Sequence, residues 1–201
     1  MRPGAPAPAP GRASRPALSA SPGRRPEIDL DAHEALALKK AAGWSALAGI
    51  VLFAATEFGP GFYATWYSIL NAVGFGLILP VLASLHVRHL LVRQSGAVLG
   101  TMAGTCVVLF GLGGAQETLP ALLVARAVWW WTIGKMWAET GVLPRTFGWI
   151  TMLLAVLFPA LAGITALEGR SDASPDLVLR LVFAAWLVIL AAFLWPRRPV
   201  A

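Results

Sequence analysis

The residue of this sequence best suited to binding chemistry is an arginine inside an apolar stretch. Arg126 lies within residues 119–138, shortly before Trp129, Trp130 and Trp131. An arginine at membrane depth costs roughly 2.5 kcal/mol or more unless a partner or the membrane surface stabilises its charge. A guanidinium in such a place is suited to holding an anion or to pairing with an acidic side chain.

Composition places the chain among integral membrane proteins. Of its 201 residues, 57% are hydrophobic and only 13% are charged, and the mean hydropathy is +0.68. A soluble domain of this size would need more charge on its surface. The basic residues lie beside apolar runs, where membrane topology explains them, so we expect no nucleic-acid partner.

The chain divides into a tail and a membrane domain. Residues 1–26 are mainly Pro, Ala, Gly, Ser and Arg, which predicts a disordered basic tail, either solvated or held at anionic lipid. Asp31 and Glu34 resemble a capping box, so a helix is expected to begin near Asp31 within the domain of residues 27–201. Six apolar stretches long enough to cross a membrane follow, at about residues 41–58, 62–85, 96–114, 119–138, 147–167 and 177–195.

The charges beside these stretches predict the threading. Lys and Arg collect on the cytoplasmic side of membrane proteins, and here they collect on the side of both termini. The sequence therefore predicts an all-α polytopic membrane helix bundle with six transmembrane helices, both termini cytoplasmic, in the cell inner membrane. The cytoplasmic cations are Lys39, Lys40, Arg88, Arg93, Arg145, Arg197 and Arg198, and the acidic residues beside the opposite ends are Glu57, Glu117, Glu168, Asp172 and Asp176.

This threading brings polar side chains of three spans to one depth. Arg126 is expected ~10 Å below the outer surface, at 1.5 Å per residue, and Asn71 and Thr105 lie at similar distances along their own spans. Trp130 follows Arg126 by one turn and can offer its ring face to the guanidinium. These four residues predict an outward-facing cavity that holds the carboxylate or phosphate of a small molecule or lipid.

The same arginine has a structural interpretation. Arg126 can extend outward to form an ion pair with Glu57 or Glu117, which would hold helices together without any ligand. Arg180, four residues after Asp176, is interpreted as an ordinary ion pair within a helix.

A glycine face in the third span predicts close helix packing. Gly96, Gly100 and Gly104 recur every four residues, and Gly111 lies two turns later on the same face. The packing partner is either a helix of the same chain, which we favour, or another copy or another membrane protein. The second case predicts a structural or accessory membrane subunit.

Recognisable catalytic, metal and cofactor motifs are missing. His33 and Glu34 are not followed by the second histidine of a zinc protease helix. His86 and His89 lie on one helical turn and cannot ligate both faces of one haem, and no nucleophile elbow or phosphate loop occurs. We therefore expect no catalytic residue, no metal and no cofactor, and a protein that is not an enzyme.

One segment carries a resemblance. Residues 129–149 begin with three tryptophans and contain Gly-Val-Leu-Pro-Arg at residues 141–145, followed by Gly148 and Trp149. The segment resembles the turn between spans four and five in a family of uncharacterised six-helix bacterial membrane proteins. The resemblance implies the six-helix fold and transfers no binding or catalytic residue.

Overall fold

The computed structural model describes residues 32–58, 64–113, 119–167 and 174–195, and within these ranges the chain is all-helical without a strand. The all-α class is therefore confirmed. The predicted tail of residues 1–26 lies outside the described residues. The helices of the described ranges are α1 (Ala32–Phe58), α2 (Ala64–Gly76), α3 (Ile78–Leu90), α4 (Gln94–Gly113), α5 (Leu119–Thr140), α6 (Arg145–Leu167) and α7 (Ser174–Leu194).

Helices α2 and α3 are two halves of one rod, so the described ranges hold six helical rods. The rod is interrupted at Leu77, three residues before Pro80. Proline has no N–H to donate to the carbonyl four residues earlier, here that of Gly76, and its ring crowds that carbonyl.

Four of these rods are long and apolar enough to cross a membrane, at Leu36–Thr56, Thr65–Leu90, Gln94–Gly113 and Leu177–Leu194, and Arg145–Leu161 is apolar but shorter. Large apolar side chains are exposed along the outer faces of the helices; examples are Ile50, Leu99, Leu109, Leu153 and Ile189. An apolar surface of this extent suits lipid better than water. These features are compatible with a membrane protein.

The helices pack as an antiparallel bundle in which α6 and α7 have different neighbours. Helix α1 lies along α7 and along the α2–α3 rod, whereas α5 lies between α4 and α6. Short turns at residues 91–93 and 141–144 join α3 to α4 and α5 to α6, and we call this the hairpin end. Helices α6 and α7 meet at only a few positions.

Small residues set the closest helix pairs. A Cβ placed on Gly148 of α6 would lie 2.7 Å from the Gly134 carbonyl oxygen of α5, so the two backbones are in contact there. On the other side, Ser45 Oγ of α1 donates to the Leu187 carbonyl of α7 at 2.7 Å, and Gly49 faces the α7 backbone one turn later. The second pair was missed from the sequence, although its small residues are four apart.

The glycine face of α4 packs against the chain's own helices. Gly96 and Gly100 face side chains of α5, Gly104 lies against side chains of α3 and α5, and Gly111 lies against the ring of Phe75 on α2. This face is therefore filled from within the chain and is not a free surface for another protein.

Candidate functional site

Aromatic rings fill the centre of the bundle. Trp129 and Trp130 of α5 each lie with ring centroids 5.5 Å from Trp186 of α7. Both tryptophans also contact Phe183 of α7, and all four side chains are buried. Helices α5 and α7 are thus joined by rings rather than by backbone contact. This aromatic cluster consists of Phe75, Trp129, Trp130, Trp137, Phe147, Phe158, Phe183, Trp186 and Phe193.

Arg126 is buried against this cluster, with only 4% of its surface exposed. Its guanidinium carbon lies 4.2 Å from the ring centroid of Phe183 and 6.0 Å from that of Trp130. A cation above aromatic rings gains ~2 kcal/mol or more when it is desolvated. The contact with Trp130 is the one that the sequence suggested, and the closer contact with Phe183 was missed.

A second arginine reaches the same part of the bundle from α7. Arg180 Nη1 donates to Asn71 Oδ1 at 3.3 Å, and its guanidinium carbon lies 5.1 Å from the Tyr67 ring centroid. Asn71 Nδ2 in turn donates to the Gly111 carbonyl at 2.8 Å, which fixes the amide between α2 and α4. Arg180 precedes Phe183, the ring over which Arg126 lies, by one turn of α7.

The structure thus places the four residues of the predicted cavity in different ways. Arg126 and Trp130 lie together, whereas Asn71 is tied to Arg180 instead. Thr105 Oγ1 donates to the Thr101 carbonyl of its own helix at 2.9 Å, and no described contact joins it to Arg126. The side chains of the acidic residues that the sequence suggested as partners lie outside the described residues.

The residues that sequence reasoning missed are Arg180, Phe183 and Tyr67. The signal for Arg180 was available, because it is a second arginine inside an apolar helix. Its spacing from Asp176 suggested an ordinary ion pair within the helix, and the side chain of Asp176 lies outside the described residues. The described contacts of Arg180 reach Asn71 and Tyr67 of α2. We refer to Arg126, Arg180, Asn71, Tyr67, Trp130 and Phe183 as the arginine site.

One buried guanidinium, of Arg126, and one half-buried guanidinium, of Arg180, define the chemistry of the arginine site. Each is a fixed fork of N–H donors that suits carboxylate and phosphate oxygens. Like charges drawn into a low-dielectric interior require compensating negative charge, from acidic side chains or from a bound anion.

The histidines at the hairpin end are held by hydrogen bonds to side chains of neighbouring helices. Trp137 Nε1 donates to His89 Nε2 at 2.8 Å, and both side chains are buried. An indole N–H only donates, so Nε2 must be unprotonated and the imidazole is the neutral form with its proton on Nδ1. His86 Nδ1 lies 2.7 Å from Thr101 Oγ1. In the part of the chain that the structure describes, no three His, Cys, Asp or Glu side chains gather as a metal site would require.

A cavity of about 290 Å³ lies between α6 and α7, apart from Arg126. Its exposed lining is apolar, and it runs from the hairpin end to the middle of the bundle. We call it the α6–α7 groove; it is lined by Pro144, Thr146, Phe147, Ile150, Leu154, Val182, Ala185, Trp186, Ile189 and Phe193.

Comparison with family models, curated proteins and solved structures finds no match to this chain. The resemblance carried by residues 129–149 therefore stays a prediction. The function has to be argued from the geometry of the arginine site and its surroundings.

Proposed function

We propose that this protein is a multi-pass membrane protein of six spans that binds a small or lipidic anion at the arginine site. The observation that carries the proposal is a buried arginine in contact with an aromatic ring of a helix that itself carries a second arginine. Arg126 from α5 lies over Phe183, and Arg180 precedes Phe183 by one turn of α7. The groups bound would be carboxylate or phosphate, because the guanidinium fork matches their oxygens.

The charge distribution supports a cytoplasmic hairpin end. Lys39 lies over the ring of Trp195 with 5.5 Å to its centroid, and Arg93 pairs with Glu139 at 2.8 Å, so these cations are arranged around that end. Excess Lys and Arg favours the cytoplasmic side. Under this orientation both termini are cytoplasmic, and the arginine site lies in the outer half of the bundle.

Burial supports a function beyond helix packing. Arg126 carries its charge among aromatic rings, and a hydrophobic side chain of similar volume would fill the space without the cost of a desolvated charge. Intramembrane charges are typical of ligand or ion pathways. The structural interpretation, in which acidic side chains compensate both arginines permanently, predicts that no anion added from solution affects the protein.

The test is thermal unfolding of the purified protein in phosphatidylcholine nanodiscs. Inorganic phosphate or acetate would replace chloride at constant ionic strength. A ligand present at 100 times its Kd stabilises the folded state by ~2.7 kcal/mol, so the unfolding midpoint should rise by a few degrees. A parallel set of nanodiscs containing phosphatidylglycerol separates a lipidic anion from a free one.

Variants decide whether the arginine site is responsible. Arg126→Gln and Arg180→Gln should each abolish the rise, Arg126→Lys should keep part of it, and Arg93→Gln at the hairpin end should keep all of it. A wild-type protein that responds to no anion, or a rise that survives in both glutamine variants, would overturn the proposal.

An accessory-subunit function is the alternative that the glycine face suggested. Gly104 and Gly111 are covered by side chains of the same chain, so that face supplies no partner surface. No described contact favours this alternative.

A further inference from the structure

The α6–α7 groove exists because its two walls are held by different neighbours. Helix α6 is drawn against α5 by the backbone contact of Gly134 with Gly148, and α7 is drawn against α1 at Ser45 and Gly49. Because each helix packs closely against a different neighbour, α6 and α7 are separated from each other. The side chains of α6 and α7 leave a cavity of about 290 Å³ between the two helices. An apolar space without contents would forfeit dispersion contacts along both walls.

The dimensions of the groove fit a lipid chain. From Val182 to Phe193 the α7 wall is about 16 Å long at 1.5 Å per residue, and half of a ~30 Å hydrocarbon core is about 15 Å. The length of the groove therefore matches the acyl chain of one leaflet.

The hairpin end of the groove carries positive charge. Pro144 and Thr146 line it there, on either side of Arg145, which is exposed. Within the part of the chain that the structure describes, the Arg145 side chain makes no hydrogen bond or ion pair. Arg197 and Arg198 follow α7 in the sequence. A cation at the level of the headgroups attracts anionic lipids.

We propose that the α6–α7 groove retains one anionic phospholipid, with an acyl chain lying in the groove against the stacked rings of Phe147 and Trp186 and its headgroup at Arg145. The groove and the arginine site share no residue, and the cation of the groove lies at the hairpin end. The lipid would act as a structural filler between α6 and α7, beside the ring contacts of Phe147 with Trp186 and Phe193.

Native mass spectrometry of the full chain tests this site. The protein would be released from detergent after incubation with equal amounts of phosphatidylglycerol and phosphatidylcholine. The wild type should retain one phosphatidylglycerol with several-fold preference. Ala185→Trp fills the groove and should abolish retention of both lipids, and Thr146→Trp at the opposite wall is a second blocking variant. Leu153→Trp is the matched control, because Leu153 is 64% exposed on α6 and does not line the groove.

Further variants distinguish the contribution of the headgroup to lipid binding from that of the acyl chain. Arg145→Gln should lose the preference for phosphatidylglycerol while one lipid is still retained, and Arg93→Gln should change nothing. Arg126→Gln should also leave the retained lipid unchanged, which distinguishes this site from the proposed anion site. Equal retention in Ala185→Trp, Thr146→Trp and the wild type, or retention of no lipid by the wild type, would overturn the proposal.

Discussion

Several buried polar side chains in this bundle are tied to a specific partner. Trp186 Nε1 donates to Thr151 Oγ1 at 3.0 Å, and that hydroxyl donates to the Phe147 carbonyl at 2.8 Å. Trp137 in the same way is fixed by His89. Such bonds fix the orientation of large rings, because turning an indole would leave a buried N–H without an acceptor. The aromatic cluster is therefore positioned by hydrogen bonds as well as by packing.

Removing the Trp137 N–H should destabilise the protein measurably. Trp137→Phe keeps an aromatic ring but leaves His89 Nε2 without its donor, at a cost of ~1–3 kcal/mol for an unsatisfied buried group, together with a packing loss. The unfolding midpoint in nanodiscs should fall. Trp149→Phe is the control, since Trp149 is 62% exposed, and it should be close to neutral. An equal effect of the two changes would show that the hydrogen bond contributes little.

At the scale of helices, the pair α5–α6 explains the sequence of residues 129–149. Gly141 has a positive φ of 71°, and its N–H donates to the Trp137 carbonyl at 2.9 Å, which ends α5. Arg88 Nη2 of α3 donates to the Val142 carbonyl at 3.2 Å, which attaches the turn to the bundle. Gly148 then allows α6 to lie against α5. The segment is thus a helical hairpin in which each glycine has a separate geometric role.

The close approach of α5 and α6 predicts a large effect at Gly148. In Gly148→Ala the new Cβ would lie 2.7 Å from the Ala138 nitrogen and from the Gly134 oxygen. These are backbone atoms that cannot rotate away, so we expect destabilisation of ~1–3 kcal/mol. Gly43→Ala in α1 meets nothing within 4 Å and should be neutral or stabilising by up to ~1 kcal/mol. Thermal unfolding of both variants in nanodiscs measures the difference; a neutral Gly148→Ala would contradict the tight hairpin.

Substitutions at Gly141, in the turn between α5 and α6, should destabilise the protein less than Gly148→Ala does, and for a different reason. Gly141 has open space around it, so its φ of 71° alone penalises a side chain. Gly141→Ala should cost ~1–2 kcal/mol, the penalty of an L-residue in the left-handed region, and Gly141→Asn should cost less. The same unfolding measurement ranks the two variants. Equal stability of both with the wild type would show that the turn relaxes.

The sequence predicted the helices better than the site. Apolar stretches 41–58 and 62–85 correspond to α1 and to the α2–α3 rod. Helix α1 begins at Ala32, as the capping-box pattern of Asp31 and Glu34 predicted, whereas α3 extends beyond the apolar stretch to Leu90 because hydropathy marks the apolar part of a helix and not its polar end. Arg126 was recognisable as a candidate site residue, because a charged side chain inside an apolar stretch has a high free-energy cost. Its contact with Phe183 was not, because it depends on which helices face each other and on their rotation, which hydropathy does not encode.

For the molecule as a whole, charge is distributed unequally between the two ends. Arg93 and Lys135 both lie near Glu139, at 2.8 Å and 3.8 Å, so one carboxylate serves two cations at the hairpin end. Lys39, Lys40 and Arg145 are exposed there as well. The excess of positive charge remains after pairing, and it is the basis of the proposed cytoplasmic orientation of the hairpin end.

Labelling of single cysteines tests this orientation directly. Cys106 is the only cysteine of the chain, so Cys106→Ser gives a background without thiols. Ser95 is exposed at the hairpin end, and Ser171 lies in the sequence between α6 and α7 at the opposite end. Because cations are retained inside, a membrane-impermeant maleimide should label Ser171→Cys in intact cells and Ser95→Cys only after permeabilisation. The reverse pattern would place the arginine site in the cytoplasmic half and make its anion a cytoplasmic one. Labelling of both positions in intact cells would exclude the odd number of spans that the six-span fold places between Ser95 and Ser171.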